Sequence, residues 1–78
     1  MARTVMHVVH KNGKGWVVEH TGNELATHAT KDDAVKDSQQ RGHAMEAKGQ
    51  DAQLVIHHQD GSIETEYTYG HDPRRFPG

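Results

Sequence analysis

The chain has 78 residues and a mass of 8.7 kDa, and its nine Lys and Arg against eleven Asp and Glu give a formal net charge of −2. Those figures exclude a multidomain enzyme and a strongly basic nucleic-acid domain, and no apolar run approaches the ~20 residues of a membrane-spanning helix. Val, Leu, Ile and Phe number only 12, eight residues are His and none is Cys, so thiol chemistry is excluded and a core must be built from little.

Met1-Ala2-Arg3-Thr4 leads straight into a strand-like segment. It lacks the apolar stretch of a secretory signal, so the expected location is cytoplasmic. Residues Thr4 to His10 alternate, as do Gly15 to His20. Between them stands Asn12-Gly13, the preferred pair for a two-residue hairpin loop. That loop sets Val9 opposite Trp16 and His7 opposite Val18. One face then carries Val5, His7, Val9, Trp16 and Val18, and the other Met6, Val8 and Val17. Gly15 leaves a longer loop open. Thr21-Gly22-Asn23 reads as a turn, and Glu24 to His28 as either a third strand or an arm.

Helix entry comes at Thr30, with Asp32 and Asp33 in the first turn. The helix is expected to run to about Lys48 and stop at Gly49. Its buried stripe is small: Ala34, Ser38, Arg41 or Gly42, and Met45. Asp32–Lys36 and Asp37–Arg41 are acid-first i,i+4 pairs. Gln53 to His58 is the second apolar strand, and Asp60-Gly61 the second hairpin loop. Pairing outward sets Ile56 against Thr65, Val55 against Glu66 and Leu54 against Tyr67. Leu54, Ile56, Ile63 and Tyr67 then share a core face, with Val55, His57, Glu64 and Glu66 on the wet face.

The pattern predicts an α+β fold: a two-layer ββαββ domain over residues 1–69, with one helix on a four-stranded antiparallel sheet made of two hairpins. Residues 70–78 read as a C-terminal tail. The face holding Met6, Val8 and Val17, with Trp16 nearby, lacks a cover. It is the expected interaction surface, and a homodimer repairs the shortage of core.

An ordered set of segments supports this topology: His7-Val8-Val9, Gly15-Trp16-Val17-Val18, Thr30-Lys31-Asp32-Asp33-Ala34 and Leu54-Val55-Ile56-His57, then Asp60-Gly61-Ser62-Ile63 and Tyr69-Gly70-His71-Asp72-Pro73. In these the chain resembles the bacterial family called domain of unknown function 2188, from His7 to Pro73. The resemblance implies a short bacterial or phage-borne protein without an assigned reaction, and it adds no catalytic residue. Arg41-Gly42-His43-Ala44-Met45 is poorer in Ala and aliphatics than a typical helix of that family.

Little in the residues points to catalysis. His57 opposite Glu64 is the best local acid–base pair, and it reads as a cross-strand surface contact. Gly13-Lys14-Gly15 is too short for a phosphate-binding loop. No catalytic residue, cofactor or metal ligand is assigned, because His57 and His58 point to opposite faces of a regular strand and the helix holds no His pair one turn apart. His7 and His20 could share a face of the first hairpin. The expected function is a non-enzymatic accessory protein acting as a protein-interaction and dimerisation module. One alternative is weak nucleic-acid binding through Lys11, Lys14, Arg74 and Arg75, with Trp16 as a stacking surface. A second is metal binding through His.

Overall fold

The computed structural model describes residues 3–70. The chain order is β1 (Thr4–Lys11), β2 (Gly15–His20), β3 (Asn23–His28), α1 (Lys31–Ala47), β4 (Ala52–His57) and β5 (Ile63–Tyr69). The strands form one five-stranded sheet in the order β3-β2-β1-β4-β5. The class is α+β with one helix, but the sheet is neither four-stranded nor wholly antiparallel. β1 and β4 pair in parallel, and the other neighbours are antiparallel.

The third strand explains the parallel pair. Thr21 and Gly22 both take positive φ, 49° and 82°, and make a two-residue loop with His20 opposite Asn23. Two positive φ values are what the preferred hairpin loop requires. β3 therefore runs in the direction of β1. The helix carries the chain back, and β4 re-enters beside β1 in the same direction.

The first hairpin differs from expectation by one residue. Its loop is Asn12-Gly13-Lys14, closed by Lys14 N–H donating to the Lys11 carbonyl at 3.0 Å, with Lys11 opposite Gly15. Asn12 does not take positive φ, so the two-residue loop is not formed, whereas Gly15 has φ +94° and a Cβ there would stand 2.6 Å from the His28 carbonyl oxygen. Only glycine fits that combination. A one-residue slip exchanges which partners share a face. Val9 lies opposite Val17 and Val8 opposite Val18.

The helix covers one face. Met6, Val8, Val18, Ala52, Leu54, Ile56 and Tyr69 are buried there with Ala34, and Trp16, Ala26, Val35 and Met45 pack around them. The stripe facing the sheet is Ala34, Ser38 and Gly42, at the i, i+4, i+8 spacing of one helix face. Small residues let the helix lie close, and a Cβ on Gly42 would meet the Tyr69 ring at 2.5 Å. The buried Ser38 hydroxyl donates to the Val35 carbonyl at 2.9 Å, which satisfies it. Thr30 caps the helix by accepting from Asp33 N–H. At the other end Gly49 N–H donates to Glu46 O and Gln50 N–H to Met45 O, the paired bonds of a glycine-terminated helix.

The second hairpin keeps the expected register from Leu54–Tyr67 to Ile56–Thr65. A bulge then sets His57 opposite Ile63, and the expected two-residue loop is not formed: Asp60 does not take positive φ, and the loop is Gln59-Asp60-Gly61, with His58 N–H donating to the Ser62 carbonyl at 2.7 Å. Tyr67 shares the face of its partner Leu54 as expected, but at the sheet edge it is 40% exposed, whereas Ile63, set opposite His57, leaves the core face and is 57% exposed. Of the segment read as a tail, only Gly70 falls within the described residues.

Candidate functional site

The sheet face turned away from the helix carries Val5, His7 and Val9 from β1, Val17 and Glu19 from β2, and Gln53, Val55 and His57 from β4, as the register requires. Val17 and Val55 are shielded by their neighbours, while Val5 and Val9 are half-buried. The expected interaction surface is therefore corrected. Met6 and Val8 have no exposed surface and lie beneath the helix. Trp16 belongs to the helix side, edge-on to His10 at 5.1 Å and beneath the Lys31 ammonium at 5.6 Å. Of those four residues, only Val17 lies on the open face.

At the centre of the open face two imidazoles meet. His7 Nδ1 lies 3.0 Å from His57 Nε2, across the parallel pair and 50 residues apart in sequence. His57 Nδ1 lies 2.9 Å from the Gly61 carbonyl oxygen. A carbonyl only accepts, so His57 carries its proton on Nδ1, and its Nε2 lone pair accepts from His7 Nδ1–H when both rings are neutral. Burial lowers the His7 pKa from its ordinary 6.5, and the neighbouring His57 lowers it further; Glu19, opposite His7, works the other way. The acid–base pair expected between His57 and Glu64 is not formed. His58 Nδ1 instead lies 3.3 Å from Glu64 Oε1, and Lys31 also pairs with that carboxylate. Glu19 lies opposite His7, so His20, the next residue of β2, does not share the face of His7. Among the described residues no group of three or more His, Asp or Glu is arranged to hold a metal ion.

One end of the face carries both charges. Lys11 Nζ lies 3.0 Å from Glu19 Oε2 and 3.1 Å from Glu24 Oε2, and Lys14 Nζ lies 3.0 Å from Glu24 Oε2. Hydrogen bonds from Lys14 and Lys11 lower the Glu24 pKa, and those to Glu19 and Glu24 raise that of Lys11. Both lysines expected to contact nucleic acid are thus matched by carboxylates. Arg74 and Arg75 lie outside the described residues.

A family model described as an uncharacterised protein conserved in bacteria, DUF2188, matches residues 6–69. The chain belongs to this family. The match begins on Met6 in β1 and ends on Tyr69, the last residue of β5. It therefore takes in the helix and all of the DUF2188 sheet except Thr4 and Val5, the His7–His57 pair included. No curated protein and no solved structure matches the chain. No helix among the described residues is long and apolar enough to cross a membrane.

The His7–His57 contact is the feature that sequence reasoning missed. Each residue sits in a segment that alternates, but their meeting depends on β1 and β4 lying side by side. The local signal was His57 on the face of Val55 rather than of Leu54 and Ile56.

Proposed function

We propose that this DUF2188 protein is a non-enzymatic self-association module, with the open face of its sheet seating the same face of a second copy. The observation that carries this reading is the strip of Val5, Val9, Val17 and Val55 crossing three adjacent strands, half-buried at Val5 and Val9, with α1 on the opposite side. A two-fold interface must be self-complementary. Lys11 and Lys14 beside Glu19 and Glu24 supply both signs at one end of that face. Two packed sheets also bring the core nearer to the depth of a sandwich, which offsets a helix that contributes only Ala34, Ser38 and Gly42 as buried residues.

Strand spacing of about 4.8 Å and rise of about 3.3 Å per residue give a five-stranded face about 24 by 20 Å. Two such faces bury on the order of 1,000 Å², the low end for specific interfaces. The dimer is therefore weak and concentration-dependent. Nucleic-acid binding is the poorer reading, because Lys11 and Lys14 already have carboxylate partners. Sedimentation equilibrium over a rising concentration series tests the proposal. The expected mass climbs from 8.7 kDa toward twice that value. A folded protein that stays at the monomer mass throughout contradicts it.

A further inference from the structure

We propose that His7 and His57 form a binding site for a divalent transition-metal ion of the copper, nickel and zinc class, each ring giving one nitrogen. The proposal does not depend on self-association. Two nitrogens each about 2.0–2.1 Å from one ion stand about 2.9 Å apart at a right angle and about 3.3 Å apart in a tetrahedron. The 3.0 Å between His7 Nδ1 and His57 Nε2 is already at that spacing, nearest to the right angle of tetragonal copper or nickel. A shared ion sits off the line between the two nitrogens, so the rings, His7 above all, turn from their hydrogen-bonded orientation to receive it.

The second support is the group behind His57. Its Nδ1–H donates to the Gly61 carbonyl, which fixes Nε2 as the bare nitrogen and aims it at His7. Histidines that hold metals are oriented in the same way, by a carbonyl or carboxylate on the far nitrogen. On metal binding the His7 proton moves from Nδ1 to Nε2, so both rings stay neutral and no net proton is released. The Glu19 carboxylate opposite His7 favours a cation without being a ligand, since Lys11 holds its Oε2. Both rings are half-buried on the open face, and water completes the coordination. Two protein ligands set a modest affinity.

The test is titration of Cu(II), and separately Zn(II), into the tag-free protein by calorimetry, at concentrations where sedimentation gives the monomer. One equivalent is expected to bind first. His7→Gln and His57→Gln are each expected to weaken that step by at least about the tenfold that losing an outer-shell partner alone can cost. His10→Gln, on the helix side, is expected to leave it unchanged. Electron paramagnetic resonance of the Cu(II) complex reads the ligands directly: two imidazole nitrogens in the wild type and one in either variant. Unchanged affinity and nitrogen count in both variants, or no stoichiometric binding by the wild type, overturns the proposal. Circular dichroism of each variant separates loss of the site from loss of the fold.

Discussion

At Gly42 two energies oppose each other. Alanine is the better helix former by about 1 kcal/mol. Its Cβ, however, would stand 2.5 Å from the Tyr69 ring, and Tyr69 is itself buried and edge-on to His43. Forcing a methyl into a packed contact costs about 1–3 kcal/mol. Gly42→Ala is therefore expected to lower stability in urea unfolding, although the same change at an exposed helix position raises it. A stabilised Gly42→Ala protein would contradict the close helix–sheet approach. Asp37 makes a second residue-scale case. Burial opposes its ionisation, but hydrogen bonds from His28 Nε2 at 2.8 Å and Arg41 Nε at 3.0 Å outweigh that and hold its pKa below 3.8. A carboxylate whose pKa falls on folding contributes stability above its unfolded pKa and loses it as the pH drops through the folded one. Asp37→Asn is expected to be less stable than the wild type at neutral pH, with the two urea midpoints converging below pH ~4. A gap that stays constant with pH would show that the ion pair is not its source.

At the scale of elements, local chemistry made the helix and the second hairpin legible. Thr30 caps, Gly49 terminates, and Ala34, Ser38 and Gly42 face inward; Leu54 stands against Tyr67 as expected, because the bulge at Ile56 and His57 offsets the one-residue-longer loop at Gln59-Asp60-Gly61. The ordered segments also sufficed to place the chain in its family. The first hairpin was not legible, because Asn12-Gly13 belongs to a three-residue loop. Lys14 is the extra residue, and the positive φ of Gly15 that follows it is a property of the folded backbone rather than of the local pattern. One residue then decides whether Val18 shares the face of Met6 and Val8 or that of Val5 and Val9. Met6→Ala is expected to cost about 2–5 kcal/mol, as deletion of a buried side chain does. Val5→Ala, half-buried on the open face, is expected to cost about 1 kcal/mol or less. Paired denaturant titrations measure both. The reverse order of costs would contradict the placement of Met6 beneath the helix.

At the scale of the whole molecule, the sheet order governs what the protein can do. A third strand before the helix reverses the direction of return, and that makes β1 and β4 parallel neighbours. No local pattern encodes this pairing, so neither the His7–His57 contact nor the valine strip across β4, β1 and β2 could be read from segments alone. The scarcity of large apolar residues is met in two ways. The helix and β1, β2 and β4 enclose one thin core, and on the other face Val17 and Val55 are covered by their neighbours while Val5 and Val9 stay half-buried. Sedimentation equilibrium of the wild type beside Val9→Lys and Tyr67→Lys tests self-association through that face most directly. Val9 is half-buried on the open face, whereas Tyr67 is exposed on edge strand β5, opposite the core residue Leu54. The wild type and Tyr67→Lys are expected to dimerise alike, and Val9→Lys to remain a folded monomer. Dimerisation that survives in Val9→Lys, or a wild type that is monomeric at every concentration, would contradict the account.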